Sequence, residues 1–200
     1  MNKEREIIKK FGGIKRHDGL YDFPGDVDIS KQGLNIIPRI FGIVNGDFDC
    51  SYNNFIDLQG SPIFVGRDFW CENNNLPTLE GGPQNVGGSF VCSYNQLESL
   101  VGSPQSVVLH FWCGNNRLQS LEGSPISVGG HFWCNYNQLQ SLEGSPEGVG
   151  RDFWCYSNRL KSLEGCPIFV GFDFWCFDNP TKFTEEEVRS RCNVVGGVHV

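Results

Sequence analysis

Two histidines, His110 and His131, stand 21 residues apart, and seven of the nine cysteines and all five tryptophans fall on the same 21-residue period, Cys166 and Cys192 lying elsewhere. Cysteines recur at Cys50, Cys71, Cys92, Cys113, Cys134, Cys155 and Cys176. Immediately before each cysteine stands Asp49, Trp70, Val91, Trp112, Trp133, Trp154 or Trp175, a column holding all five tryptophans. Three positions before the cysteine a polar column reads Asp26, Asp47, Asp68, Ser89, His110, His131, Asp152, Asp173, with Ile29 in the cysteine place of the first unit. Adjacent His110 and His131 could bind a metal or sense pH. Two ligands are too few for a metal centre, so this column is expected to be solvated or to touch a partner. The cysteines alternate with the tryptophans along a strand, which turns them inward, and nothing nearby would lower their pKa as a nucleophile requires. No CxxC pair suggests zinc, and the paired glycines belong to repeat turns rather than to a phosphate loop. The expectation is a non-enzyme with no cofactor.

Sixteen Lys and Arg against 23 Asp and Glu leave a formal charge of −7, and no basic cluster is denser than Lys9, Lys10, Lys15 and Arg16. Nucleic acid is therefore not an expected partner. No stretch approaches the ~20 apolar residues that span a bilayer, and the opening MNKEREIIKKFGG carries charges throughout instead of an apolar leader, so the expected location is the cytoplasm. There the nine cysteines would stay reduced as small buried hydrophobes. Neighbouring cysteines of a parallel ladder have side-by-side Cβ vectors, which would strain a disulfide.

A 21-residue period is the mark of a solenoid, whose units cannot bury an apolar face alone and must stack. Phe48, Phe69, Phe90, Phe111, Phe132, Phe153 and Phe174 alternate with the tryptophan column as FxC, a short strand with phenylalanine and cysteine inward. Asn53, Asn74, Asn95, Asn116, Asn137, Asn158 and Asn179 follow, and an amide can satisfy both donors and acceptors of a buried turn. Columns headed by Phe55 and Leu58 complete the core; Gly-Ser-Pro, as at Gly60 to Pro62, then makes a turn, and Val65 and its copies dip back inward. Before the repeat, residues 1–24 read as an N-terminal cap, a short helix with Ile7, Ile8 and Phe11 on one face that Gly12 and Gly13 end. The solenoid should occupy 25–182, and 183–200 should form a C-terminal cap. Thr184 and Glu187 make a capping box for a helix to about Cys192, followed by a strand with Val198 and Val200 inward and His199 outward.

FxCxxNxL, as in Phe132, Cys134, Asn137 and Leu139, resembles the leucine-rich repeat pattern LxLxxNxL, with Phe and Cys in two leucine places. The resemblance covers about residues 25–182 and is nearest to the short units, 20 to 21 residues long, of bacterial and bacteriophage proteins. It implies a mostly β, right-handed α/β solenoid of eight units, the last truncated, with a parallel sheet on a concave face that binds a protein. The opening VDIS to DFDC and the closing FTEEEVRSRCNV also resemble the ends of repeat proteins encoded by tailed phages, which would make the partner a host protein and the role inhibition of a host defence component.

The outward tryptophans are the informative residues. Trp70, Trp112, Trp133, Trp154 and Trp175 could leave on the order of 500 Å² of apolar face in water, the size that marks an interface. The expectation is a protein partner anchored by these rings and rimmed by Asp68, His110, His131, Asp152 and Asp173, with Tyr156 and Phe177 in the variable column after the cysteine. Stacking of indoles on one another, a glycan laid on the ring faces, and a homo-oligomer burying the stripe are the alternatives.

Overall fold

The computed structural model describes residues 3–200 as a mostly β solenoid between two helices. Each coil contributes a two-residue strand such as Phe69–Trp70 or Phe132–Trp133. These pair in parallel, Phe opposite Phe and Trp opposite Trp, at a register of 21 residues. Among the described residues they form one nine-stranded sheet, running from Val27–Asp28 to Val198–His199. Alternation turns phenylalanine inward, where all seven rings of the column are fully buried, with neighbouring centroids 5.1 to 5.8 Å apart.

At the valine column the repeat pattern predicts inward side chains, and Val65, Val86, Val107, Val128, Val149 and Val170 are all buried, but it gives no strand there. The structure instead places a second parallel strand there, for example Phe64–Val65, Ser127–Val128 and Phe169–Val170. The cause is the following glycine. A Cβ at Gly66, Gly87, Gly129, Gly150 or Gly171 would collide with a backbone carbonyl of the previous coil, so at these inner coils glycine lets the chains approach closely. Val108 interrupts the run of glycines from Gly66 to Gly171, and there the second sheet divides into two five-stranded sheets, between Asn85–Val86 and Ser106–Val107; at the two ends Asn45 and Val195 take the glycine place.

The asparagine ladder holds the coils together. Asn137 Nδ2 donates to the carbonyls of Cys113, Cys134 and Asn135 at 3.0 to 3.3 Å, while its Oδ1 accepts the Leu118 N–H at 3.0 Å. One side chain thus satisfies buried backbone groups of two coils. The cysteines add to this. The thiols of Cys71, Cys92, Cys134 and Cys155 donate to the next coil's carbonyl at 3.3 to 3.4 Å, which leucine in the same place could not do. Burial pushes all seven ladder thiols well up from their usual range.

Helix α1 (Lys3–Phe11) covers the first coil through buried Ile7, with Ile8 and Phe11 packed against the core. An antiparallel pair, Ile14–Lys15 with Tyr21–Phe23, follows it and was not legible in the pattern. At the far end Thr184 and Glu187 form the expected capping box, but α2 spans only Glu185–Arg189 and stops short of Cys192. The chain must straighten there, because Asn193–Val194 pairs with Phe169–Val170 in the second sheet. The final coil therefore carries both strands. Val198 packs against the core, whereas Val200 is 52% exposed: contrary to the expected inward place, no further coil among the described residues covers it.

Two measurements test this packing. Asn137→Ala strands the buried Leu118 N–H and removes one of two bonds to each of three carbonyls, and its unfolding free energy in urea should drop by about 2 kcal/mol. A thiol reagent applied to the native protein should label Cys166 first. That thiol is only half-buried and is lowered chiefly by a hydrogen bond with Cys192, while the ladder cysteines should react only on unfolding. Peptide mapping by mass spectrometry that found the ladder cysteines labelled as fast as Cys166 would contradict their burial.

Candidate partner-binding face

Tryptophan at consecutive strand positions, in register, leaves the rings no choice but to meet. Trp112 stacks on Trp133 at 4.4 Å with planes 5° apart, and Trp133 on Trp154 at 4.3 Å and 9°. Trp175 turns edge-on to Trp154 at 6.2 Å and is covered by His199 at 3.5 Å, so His199 extends the outward column as expected. The open stripe of about 500 Å² expected from the sequence is reduced accordingly: all five rings are half-buried. The indole N–H groups of Trp112, Trp133, Trp154 and Trp175 are buried without a hydrogen-bond partner. Stacking has prevailed over N–H pairing, and what these rings offer outward is carbon edges rather than polar groups or open faces.

The Asp/His column is not the loose solvated rim its composition suggested. Asp26, Asp47 and Asp68 each accept, through Oδ1, the backbone N–H of the equivalent residue one coil on, at 2.6 to 2.9 Å. His110 Nδ1 accepts the His131 N–H at 3.0 Å, His131 Nδ1 the Asp152 N–H at 3.3 Å, and Asp152 Oδ1 the Asp173 N–H at 3.0 Å. Asp173 Oδ1 ends the series on Gly197 N–H at 2.7 Å, and this bond, followed by His199, holds the Asp173 carboxyl below its usual range. Asp and His share one property here, an acceptor at the same reach from Cα, which explains their interchange in one column. The imidazoles of His110 and His131 stack at 4.8 Å, with both Nδ1 atoms engaged by backbone. His131 Nδ1 also lies 3.1 Å from Asp152 Oδ2. No group of three or more His, Cys, Asp or Glu side chains among the described residues converges as a metal site would.

On the other side of the tryptophans the structure assembles residues that the pattern did not single out. A groove of about 310 Å³ has Trp112, Trp133 and Trp154 along one wall and Tyr94, Tyr136 and Tyr156 along the other. Asn135 Nδ2 donates to Tyr156 Oη at 3.0 Å and ties two coils of the groove together. Tyr156 stacks on Phe177 at 4.7 Å, and Phe177 lines a separate hollow at the C-terminal end with Phe183 and Val200. Trp70 is cut off from the other tryptophans by Val91 and faces a different hollow. Of the expected site, then, Trp112, Trp133, Trp154 and Tyr156 come together; Asp68, His110, His131, Asp152 and Asp173 belong to the ladder.

Tyr52, Tyr94 and Tyr136 are the residues missed. They occupy the position before the ladder asparagine at φ of 52 to 55°, in the left-handed region, and are 48, 56 and 52% exposed. The signal was present: tyrosine returns there every 42 residues, alternating with Asn73, Asn115 and Ser157, so every second coil carries it. Among the described residues no helix is long and apolar enough to cross a membrane. No family model matches the chain, and a search of curated proteins returns no match, so the site is read from its geometry.

The histidine rung predicts a pH dependence. Burial, followed by the neighbouring His131, lowers the His110 pKa from its usual 6.5, and Arg151 acts in the same direction while Asp68 opposes it. A folded pKa below the unfolded one means that stability is whole above about 6.5 and is lost as pH falls through the lowered value. His110→Asp restores the acceptor found at Asp68 without this titration. Between pH 7 and 5 the urea midpoint of the wild type should fall more than that of the variant; parallel curves would show that His110 does not carry the effect.

Proposed function

We propose that this chain is a non-catalytic interaction module whose aromatic groove, between the tryptophan ladder and the tyrosine column, takes a protein partner. One observation carries the reading. Tyr52, Tyr94 and Tyr136 are bulky side chains kept in a left-handed backbone conformation that costs roughly 1 kcal/mol each, where Asn73 and Asn115 show that the fold accepts a cheaper residue. Strain of this kind persists where it serves a site, and half-exposed tyrosine beside half-buried tryptophan rings is the composition of a protein-binding hot spot.

The stacked geometry also bears on the glycan alternative. Sugars pack on open indole faces, and Trp133 has both faces covered by its neighbours. The ladder thiols are buried and raised, which makes them poor nucleophiles. The repeat's likeness to short leucine-rich repeats of bacterial and bacteriophage proteins adds a class of partner: a cytoplasmic protein of a bacterial host, such as a defence component that this chain inhibits.

The test uses Tyr94→Asn/Tyr136→Asn, which should unfold no more easily than the wild type, and later by up to about 2 kcal/mol, because strain is relieved at two sites. Capture of a host protein from bacterial lysate by the wild type, lost in this stable variant, is the expected result. Equal capture by both would remove the groove as the interface. Concentration-dependent mass of the wild type alone, lost in the variant, would make a second copy of the chain the partner.

A further inference from the structure

Seven cysteines keep the ladder position and two do not, and those two meet at the C-terminal end of the stack. Cys166 stands in the Gly-Ser-Pro turn, in the place of Ser61, Ser103, Ser124 and Ser145 of other coils. A side chain in this column can reach the next coil: Ser103 Oγ donates to the Gly123 carbonyl there. The coil after Cys166 is the irregular one. Its strand Asn193–Val194 pairs with Phe169–Val170 at an interval of 24 residues instead of 21, with α2 in the added length. Cys192 thereby falls at the junction of helix and strand. Its N–H bonds to Val188 O at 2.9 Å, and the next N–H, of Asn193, to Ile168 O at 3.0 Å. From this place the Cys192 thiol donates a hydrogen bond to the Cys166 sulfur.

The two sulfurs are suited to different steps of one reaction. Cys166 is half-buried and meets solvent, whereas Cys192 is 2% exposed and belongs to the core. The hydrogen bond from Cys192, with Arg191 acting in the same direction, holds the Cys166 thiol below its usual range although burial opposes it. The same bond, and then burial, raises Cys192. An accessible thiol of lowered pKa attacks an oxidant, and a second thiol within reach displaces what has been added. The ladder cysteines have neither property. They are buried and raised, and their equivalent places on parallel strands turn their Cβ vectors side by side. Cys166 and Cys192 come from different repeat positions, so that constraint does not bind them.

We propose that Cys166 and Cys192 are a redox-active pair, oxidised to a disulfide by small disulfides of the glutathione class, and that the bond locks the C-terminal cap to the last full coil. The Cys166 thiolate attacks one sulfur of the small disulfide, forming a mixed disulfide and releasing the other half as a thiol. Cys192 then loses its proton and attacks the Cys166 sulfur from the core side, and the second half leaves toward water as a thiol. Two electrons and two protons pass from the protein to the small disulfide. The new bond closes a loop from 166 to 192 that contains α2. That helix is five residues long and is tied down by buried Val188 and by Arg189, which donates to Val194 O at 2.7 Å and Gly196 O at 2.8 Å. A covalent tie beside it suppresses local opening of the cap. The aromatic face plays no part in this.

The whole protein, first reduced and then held at neutral pH with glutathione and an excess of glutathione disulfide, is read by intact mass and peptide mapping. The expected product is one intramolecular disulfide between Cys166 and Cys192, with the seven ladder cysteines still reduced. Cys192→Ser should instead accumulate one glutathione on Cys166. Should that variant misfold, the wild type quenched early should show the same adduct before the disulfide appears. Amide hydrogen exchange across 183–200 should slow by about tenfold or more in the oxidised wild type. It should not change in Cys166→Ser, which carries the residue of the other coils. A glutathione adduct that persists on wild-type Cys166, a disulfide joining two chains, or recovery of both thiols unmodified overturns the pair. A disulfide between Cys166 and Cys192 that leaves exchange in the cap unchanged overturns the lock.

Discussion

The structure depends on one constraint: each coil of backbone lies directly over the last, in register every 21 residues, close enough to hydrogen-bond. Close stacking hides the peptide groups of every corner from water, and a hidden peptide group without a partner costs as much as several buried methylenes return. Each column of the repeat answers that constraint at a different corner. Asparagine bridges two coils from inside the turn, and cysteine donates a thiol to the next strand's carbonyl. Asp or His accepts the N–H at the entrance to the strand, and glycine removes the Cβ that would hold the second sheet apart.

That division of labour changes how the outward residues are read. An Asp/His column beside tryptophans looks, as composition, like a polar rim around a hot spot, yet its acceptors are occupied by backbone N–H groups and its residues are interchangeable for that reason. The tryptophans are likewise divided between two roles. From Trp112 to Trp175 the N–H groups and the stacked faces are spent within the ladder, and ring edges remain for a ligand. What is left for recognition is the column that no coil-to-coil bond explains through its side chain, the tyrosines in strained backbone.

Three columns falter together in the unit from 88 to 108. Ser89 replaces the Asp or His, Val91 the tryptophan and Val108 the glycine, and the second sheet divides at the same coil. One irregular unit therefore interrupts both faces of an otherwise uniform stack. On one face the interruption ends the run of stacked tryptophans at Trp112.

From residue types and spacing alone came the 21-residue stack, the inward phenylalanine and cysteine, the asparagine ladder and the capping box before α2. Each of these follows from local alternation or from a side chain bonding within its own turn. The second sheet was hidden because a strand of two residues has no alternation to read, and because its existence depends on glycine permitting contact with a different coil. The aromatic face was legible as a list of tryptophans but not as a site. Whether an outward ring is a surface or a rung depends on the distance to the next ring, and whether Asp68 or His110 is a rim or a brace depends on which N–H lies opposite. Those are distances between coils, and only the tertiary stack sets them.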